Sequence, residues 1–232
     1  MKQKGTLLNI QSLEEIQMEI EENGNGHVAT SFETPLREDA FALDDDTKIE
    51  LIEDHFKHII EILGLDLTDD SLKGTPHRVA KMYVKEIFSG LNPKNKPVAK
   101  LFENKFKYSE MLVEKDITFY SNCEHHFVPI IGKAHVAYIS SGKVIGLSKI
   151  NRIVQYYAKR PQVQERLTMQ IGEEMKKALD TEDVGVVLDA SHLCVSSRGV
   201  GDTNSTTGTA YFSGKFQDTQ VKREFLDFIN SK

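Results

Sequence analysis

The sequence has few cysteines, few prolines and no long apolar run. Its 232 residues include two cysteines, six prolines and 15 glycines, with 39% hydrophobic and 28% charged residues. This composition is typical of a globular chain and excludes the disordered, collagenous and membrane classes. Every uninterrupted apolar run is only a few residues long, whereas a membrane-spanning helix needs roughly 20. We therefore expect no transmembrane helix and no membrane partner.

Negative charge is concentrated near the N-terminus. Residues 1–50 contain 4 Lys and Arg against 12 Asp and Glu, whereas residues 51–232 contain 25 against 23. The N-terminal segment also lacks the apolar stretch of a signal peptide, which predicts a cytoplasmic protein. The rest of the chain is close to neutral. It can bind an anion locally, but nothing in its charge pattern indicates a nucleic-acid partner.

The periodicity of the apolar residues divides the chain into three regions. Residues 1–43 show no sustained period, with at most a short helix from Leu13 to Ile20, and are predicted to form a flexible acidic arm. Residues 44–110 have the 3.6-residue period of helices, and residues 111–232 mix a strand period with helices. We interpret the middle region as an N-terminal helical extension and the last one as the main mixed α and β domain.

Two helices are predicted in residues 44–110. The acidic run that begins at Asp44 caps the first helix, and Gly64 closes it. Thr75 caps the second helix, and Gly90 ends it.

After residue 110 the apolar period changes to two, which is typical of strands. In the first strand, Met111, Val113, Ile117 and Phe119 alternate with polar residues. Ser148 is predicted to cap a helix that is broken at Pro161; another helix follows, and a last helix ends the chain. The four predicted strands are residues 111–120, 130–139, 184–190 and 203–216.

This order of elements predicts an α+β fold. It consists of a small antiparallel four-stranded sheet with two helices on one face, preceded by the helical extension. Such a sheet leaves two open edges and an uncovered face, which other copies of the chain can pair with or cover. We therefore predict a homo-oligomer.

Both cysteines have histidine neighbours. Cys123 and His126 have the Cys-x-x-His spacing of zinc ligands, and the second cysteine, Cys194, lies two residues after His192. In the reducing cytosol the cysteines are free thiols or metal ligands rather than a disulfide. Three ligands (Cys123, His126 and Cys194) would leave one tetrahedral position open for water, which is the pattern of catalytic zinc.

Bound zinc lowers the pKa of water to about 7, so the remaining histidines, His125 and His192, are candidate proton carriers. The alternative interpretation is a half-buried cysteine beside solvated histidines, with His192 hydrogen-bonded in a turn.

Four basic residues are candidates for a polyphosphate site. Lys149 and Arg152 share one face near the N-terminus of a predicted helix, and Arg198 and Arg78 add guanidinium groups that match phosphate. Taken singly, each of them is better explained as a solvated surface charge. Gln164 and Glu165 could bind the N–H edge of guanine, although polar residues in a helix need no special reason.

Taken together, five segments resemble the zinc-dependent GTP cyclohydrolase I family. The resemblance covers roughly residues 49–229. The segments are 74–83 (GTPHRVAKMY), 120–129 (YSNCEHHFVP), 144–149 (VIGLSK), 162–168 (QVQERLT) and 192–200 (HLCVSSRGV).

The resemblance implies conversion of GTP and water to 7,8-dihydroneopterin triphosphate and formate. It also implies that residues 111–232 are the catalytic domain, a tunnelling fold whose sheets are joined into a barrel by a toroidal homodecamer. Neighbouring subunits would contribute to each pocket. By matching positions, Cys123, His126 and Cys194 would hold Zn²⁺, whose water attacks C8 of guanine, while His125 and His192 move protons.

The same matching assigns the substrate contacts. Gln164 and Glu165 would anchor the purine, and Ser148 would lie near the ribose. The residues expected to hold the triphosphate are Lys149, Arg152, Arg198 and Arg78.

Two departures from the family pattern stand out. Gly201 follows Val200 where many members have a basic residue, which removes one expected phosphate contact. Ile150-Asn151 stands where some members have a Leu-Ala pair, a difference that affects helix packing more than chemistry.

Two rival functions remain. A nitrile reductase of similar fold would use a cysteine without zinc, but the second cysteine beside His192 argues against it. A non-catalytic zinc-stabilised interaction module would need a fourth protein ligand to close the metal site; no third cysteine exists, though a histidine could serve.

Overall fold

The structure is a computed structural model that describes residues 30–231. The predicted short helix from Leu13 to Ile20 lies outside the described residues. From Glu33 onward the chain forms one compact unit. The side chain of Thr34 is buried in this unit, with its hydroxyl 3.4 Å from Nη1 of Arg160. The arm boundary at residue 43 stays a prediction, although Thr34 on its N-terminal side is packed against Arg160.

The described residues contain six α-helices and seven strands. The helices are α1 (Asp45–Ile62), α2 (Thr75–Met82), α3 (Leu147–Ala158), α4 (Gln164–Leu179), α5 (Leu193–Ser196) and α6 (Thr219–Asn230). The strands are β1 (Leu101–Glu103), β2 (Met111–Cys123), β3 (Pro129–Ile139), β4 (Lys143–Ile145), β5 (Pro161–Gln162), β6 (Val184–His192) and β7 (Thr207–Phe212).

Local sequence signals account for both ends of α1. The Asp44 carboxylate accepts a hydrogen bond from the Thr47 N–H at 2.8 Å, and two further aspartates lie in the first turn. There they interact favourably with the positive end of the helix dipole. Gly64 follows the helix at φ +78°, a conformation that glycine adopts without steric cost. The predicted helix is confirmed.

Two predicted helix caps are wrong. Thr75 is the first residue of α2, whose N-cap is Gly74, and Ser148 is the second residue of α3, whose N-cap is Gly146. Neither N-cap residue makes a side-chain hydrogen bond, because glycine has no side chain. Ser148 is exposed and lies inside the first turn of α3, so it is not the N-cap residue. The second helix is predicted to end at Gly90, but its α-helical part already ends at Met82.

The main sheet has five strands in the order β5-β2-β3-β6-β7. The four predicted strands are antiparallel neighbours, which confirms the small antiparallel sheet, although β7 is shorter than predicted. β5 is an additional strand that pairs in parallel with the end of β2, where the sequence predicted only a helix break at Pro161. A two-residue strand is too short to show a period. β1 and β4 form a separate two-stranded sheet.

A β-bulge divides β2 into two halves that face opposite ways. The pairing with β3 shifts between Glu114 and Ile117, and Asp116 has φ +61°. As a result Met111 packs on one face of the sheet, whereas Ile117 and Phe119 pack on the other. The predicted strand is confirmed, but an inserted residue reverses the alternation, so its apolar residues do not all share one face.

The two faces of the main sheet are covered differently. As predicted, α3 and α4 pack on one face, where their buried residues join Ile117 and Phe119 in one core cluster. α6 covers part of the opposite face: its Phe225 is fully buried in a second cluster with Met111 and Phe216. The chain therefore covers part of the face that the sequence analysis left to other copies.

The sheet edges remain open among the described residues. Along β2 only the last two residues have a partner in β5, and β7 has no further strand beyond it. Within residues 30–231, no helix has the length and apolar character needed to cross a membrane.

His135 makes the stability of the fold depend on pH. Its buried ring lies opposite the bulge, where Nδ1 accepts a hydrogen bond from the Asp116 N–H at 3.2 Å. Burial lowers the pKa of His135, although the Asp116 and Asp189 carboxylates oppose this; Lys115 and Lys133 lower it further. The folded protein therefore holds His135 neutral at a pH where the unfolded chain, with a pKa of about 6.5, already binds a proton.

We expect the free energy of unfolding to fall as the pH drops below about 6.5 towards the lower pKa of the folded state. His135→Asn keeps an acceptor for the Asp116 N–H but cannot be protonated, so it should reduce this pH dependence. Urea unfolding of both proteins at pH 5.5 and 7.5 checks the prediction, because the other histidines contribute equally to both. An identical pH difference in both proteins would contradict it.

Candidate metal centre and active site

Cys123, His126 and Cys194 meet at one end of the main sheet. One ligand atom from each side chain lies within 4.8 Å of the others. Among residues 30–231 this is the one group of three or more His, Cys, Asp or Glu donors close enough to share an ion. The structure therefore brings together the three residues that the sequence analysis singled out as metal ligands.

A tight connection between β2 and β3 presents Cys123 and His126 on the same side. The Cys123 N–H donates to the Val128 carbonyl at 2.9 Å, and the Phe127 N–H donates to the Cys123 carbonyl at 2.8 Å. The chain reverses through Phe127, which has φ +53°. His125 lies in the same turn, with its Nδ1 3.6 Å from the Cys123 sulfur.

The register of the sheet brings Cys194 to this turn. β6 pairs with β3 so that His192 lies opposite Ile130, near the start of β3. The short helix α5 begins directly after His192 and carries Cys194 in its first turn. The end of β6 thus lies beside the turn that carries Cys123, although the two cysteines are far apart in sequence.

The electrostatics of the three residues suit a cation. Burial raises the pKa of the Cys194 thiol, and the adjacent Cys123 raises it further. Desolvation lowers the pKa of His126, and the positive charges of Arg198 and His125 lower it further, which favours the neutral imidazole that binds metals. A divalent cation would stabilise both thiolates, and donors of this type suit Zn²⁺.

Gln164 fixes the orientation of His192. Nε2 of His192 lies 2.7 Å from Oε1 of Gln164. The Gln164 amide nitrogen donates to the Thr207 carbonyl at 2.6 Å and to the Thr209 hydroxyl at 3.1 Å. Because this nitrogen faces acceptors, the Gln164 oxygen faces His192, and Nε2 of His192 must be the donor. The Nδ1 lone pair of the neutral ring is then left to accept a proton.

The match to a known family rests on most of the chain. The family model described as GTP cyclohydrolase I matches residues 52–230. The chain belongs to the GTP cyclohydrolase I family. The resemblance predicted from the five sequence segments is confirmed.

Curated relatives in the GTP cyclohydrolase I family align over nearly their whole length. GTP cyclohydrolase 1 of Flavobacterium johnsoniae is 65% identical over 210 residues, which cover 90% of this chain and 94% of the relative. The proteins of the same name from Citrobacter koseri and Escherichia coli O1:K1 are each 54% identical over 200 residues, covering 86% of this chain and 90% of the relative.

Of the basic residues that the GTP cyclohydrolase I pattern implies, Arg198 lies beside the candidate ligand His126. Its Nη1 lies 3.1 Å from Nε2 of His126. Lys149 and Arg152 line a cavity of about 440 Å³, together with other residues of α3, Lys159 and residues between Ser89 and Val98. None of the three candidate metal ligands lines that cavity. The Arg78 guanidinium binds residues that are close to it in sequence: it donates to the Ser71 carbonyl at 3.1 Å and to the Thr75 hydroxyl at 2.9 Å.

The predicted purine contacts differ in exposure. Glu165 is exposed in the first turn of α4, and its charge opposes the lowering of the His192 pKa by burial. Gln164 is 2% exposed, and its carboxamide is already hydrogen-bonded to His192, Thr207 and Thr209. Its predicted contact with the purine stays a prediction.

An ion pair that the sequence does not reveal lies beside the candidate metal ligands. The Arg166 guanidinium binds the Glu124 carboxylate through both of its terminal nitrogens, one of them at 3.2 Å. Glu124 directly follows the ligand Cys123, and Arg166 lies two residues after Gln164. The only signal in the sequence was an acidic residue among the ligands and an arginine in the 162–168 segment, and neither indicates a partner.

Proposed function

We propose that this chain converts GTP and water to 7,8-dihydroneopterin triphosphate and formate, the first step of pterin and tetrahydrofolate biosynthesis. One observation carries the proposal. The donor atoms of Cys123, His126 and Cys194 converge within 4.8 Å in a chain that is 65% identical to a protein named GTP cyclohydrolase 1.

Incubation of the purified chain with GTP tests the proposal. Formate and a pterin chromophore should appear in equal amounts, because one formate is released for each ring opened. Activity should disappear after treatment with a chelator and return with added Zn²⁺. Release of phosphate without formate would contradict the proposal.

We assign the metal as Zn²⁺, held by the two thiolates and His126. Two sulfur donors and one imidazole match the ligand preference of zinc, and three protein ligands are typical of catalytic sites. When bound, zinc supplies a reactive hydroxide at neutral pH, because it lowers the pKa of water to about 7.

Two histidines beside the metal ligands are assigned to proton transfer. His192 offers Nδ1 as its proton acceptor because Nε2 is committed to Gln164. The His125 ring has its Nδ1 3.6 Å from the Cys123 sulfur and its Nε2 3.8 Å from Oε1 of Glu124. These two rings would carry protons as the imidazole ring of guanine opens and formate leaves.

The substrate contacts follow the family pattern. Glu165 would accept hydrogen bonds from the N–H edge of guanine, with Gln164 beside it, and Ser148 would lie near the ribose. Arg198, Lys149, Arg152 and Arg78 would hold the triphosphate by charge-assisted hydrogen bonds.

We propose that neighbouring copies complete each site in a toroidal homodecamer. Lys149 and Arg152 lie in a cavity that contains none of the metal ligands, so one chain does not assemble all the assigned contacts. The open edges of β2 and β7 would pair with other copies and close the sheets into the barrel of the tunnelling fold. Light scattering should report about ten chains, and a fully active monomer would contradict this assembly. The cytoplasmic location stays a prediction.

Arg198→Ala should weaken productive GTP binding without loss of zinc. A charged hydrogen bond to phosphate contributes about 1.5 to 3 kcal/mol, so kcat/KM for GTP should fall by about one to two orders of magnitude. Guanosine has no phosphate, so its kcat/KM should change much less. The GTP-to-guanosine ratio, measured at low and high salt together with zinc content, checks this prediction.

Lys177→Ala is the matched control for Arg198→Ala. It also removes one positive charge, but from an exposed position in α4, about 20 Å along the helix from Gln164. It should leave the GTP-to-guanosine ratio unchanged. If Arg198→Ala behaves like this control, Arg198 does not hold the triphosphate.

A further inference from the structure

The first turn of α4 contacts both segments that carry the proposed zinc ligands. One segment is the turn after β2, with Cys123 and His126. The other is the β6–α5 junction, with Cys194. These segments are separated in sequence by the whole of β3, α3 and α4, yet the 162–166 segment is hydrogen-bonded to both of them.

The turn after β2 is attached to this segment at Glu124. The Glu124 N–H donates to the Gln162 carbonyl at 3.0 Å, and the Glu124 carboxylate receives two hydrogen bonds from Arg166. The backbone and the side chain of Glu124 are therefore both held. Because Glu124 directly follows Cys123 and precedes His126 by two residues, this attachment fixes the part of the turn between the ligands.

The β6–α5 junction is attached at His192. The Gln164 oxygen accepts from Nε2 of His192 at 2.7 Å, two residues before Cys194. Gln164 is itself held by Thr207 and Thr209 of β7. A single helical turn thus holds both ligand-bearing segments against each other.

Burial shows that the Arg166–Glu124 pair is internal. The Arg166 side chain is 2% exposed and the Glu124 side chain is 19% exposed. A planar guanidinium can bind both carboxylate oxygens at once and so fixes the orientation of the carboxylate, which a lysine ammonium cannot do. This burial and bidentate pairing make Arg166 unsuitable as a triphosphate contact.

We propose that Arg166 is a positioning residue for the metal centre. Through Glu124 it holds the turn after β2 in the conformation that presents Cys123 and His126 to one ion. Gln164 does the same for Cys194 through His192. The inference rests on the proposed zinc site. Outer groups of this kind typically change metal affinity by roughly 10- to 100-fold.

Arg166→Lys tests the inference because it keeps the positive charge but cannot bind both carboxylate oxygens of Glu124 through a planar guanidinium. The full-length protein should bind Zn²⁺ roughly 10- to 100-fold more weakly in competition with a chromophoric chelator. After replacement of zinc by Co²⁺, its visible absorption bands should shift relative to the parent protein, since the ligand geometry is less well fixed. Glu124→Gln should have the same two effects. The double variant should be little worse than either single variant, because both act through one contact.

Arg160→Lys is the matched control. Arg160 is also a buried arginine, at 9% exposure. It binds the Gly90 carbonyl and stacks on Tyr156 and Tyr157, none of which belongs to the turn after β2. It should lower stability without changing zinc affinity or the cobalt spectrum. If Arg166→Lys and Glu124→Gln behave like this control, the pair is merely structural and the inference is wrong.

The same measurements distinguish failure of the Arg166 inference from failure of the proposed function. A parent protein that binds zinc and releases formate from GTP, with unchanged zinc affinity and cobalt spectrum in both pair variants, overturns only the role of Arg166. A parent protein that binds no zinc overturns both proposals. If Arg166→Lys does not fold, Glu124→Gln alone decides, since its carboxamide has the shape of the carboxylate at a partly exposed position.

Discussion

Cys194→Ser is expected to remove the metal and the activity together. A serine hydroxyl does not ionise at neutral pH, so the site loses one of its two negative ligands. Metal-ion catalysis contributes several kcal/mol, and about 4 kcal/mol corresponds to roughly a thousandfold loss of kcat. Cys123→Ser should have the same effect. Elemental analysis and the formate assay, made on the same preparation, check the prediction.

The control for the cysteine variants is Val195→Ala. Val195 follows Cys194 in the same short helix and is 37% exposed, so its truncation disturbs α5 without removing a ligand. It should retain zinc and turnover. Full zinc occupancy in both cysteine variants would contradict the three-ligand assignment.

Gly90→Ala is expected to cause the largest loss of stability among the substitutions considered. A Cβ at this position would lie 2.0 Å from the Tyr156 carbonyl oxygen and 2.7 Å from that of Lys159, both of which are backbone atoms. Gly90 also donates to the Lys159 carbonyl at 2.9 Å and accepts from Arg160 at 2.8 Å. The turn must move away from α3 and lose these hydrogen bonds.

Overpacking typically costs 1–3 kcal/mol, and loss of the hydrogen bonds adds about 1 kcal/mol each, so we expect Gly90→Ala to lower the free energy of unfolding by roughly 3 kcal/mol or more. Gly208→Ala is the control, because its Cβ would meet no atom within 4 Å. Its effect should stay within about 0.5 kcal/mol. Urea unfolding of the two variants and the parent compares them, and equal midpoints would contradict the prediction.

Much of the local structure could be predicted because its causes lie within a few residues. The N-terminus of α1 follows from Asp44 and Thr47, which are three positions apart, and its C-terminus from Gly64. The antiparallel strands follow from alternation over several residues. The caps assigned to Thr75 and Ser148 were wrong because a preceding glycine can supply the N-cap backbone conformation without leaving a side-chain signal.

The ligands of the proposed metal site could also be identified from sequence. Cys123, His126 and Cys194 were recognisable because few residue types bind zinc and the chain has only two cysteines. The resemblance to the GTP cyclohydrolase I family then assigned roles to their neighbours. It did not indicate which of these residues one chain brings together, as the separate positions of Arg198 and Lys149 show.

The first helix, the four antiparallel strands, the family and the chemistry of the candidate ligands follow from the sequence alone, because they depend on residue identity and short-range spacing. Only the tertiary structure decided which face of the sheet each half of β2 occupies, where β5 pairs, and that Arg166 reaches Glu124. These features depend on packing and hydrogen bonding between segments that are distant in the chain. Their free energy is set by three-dimensional contacts that no local pattern records.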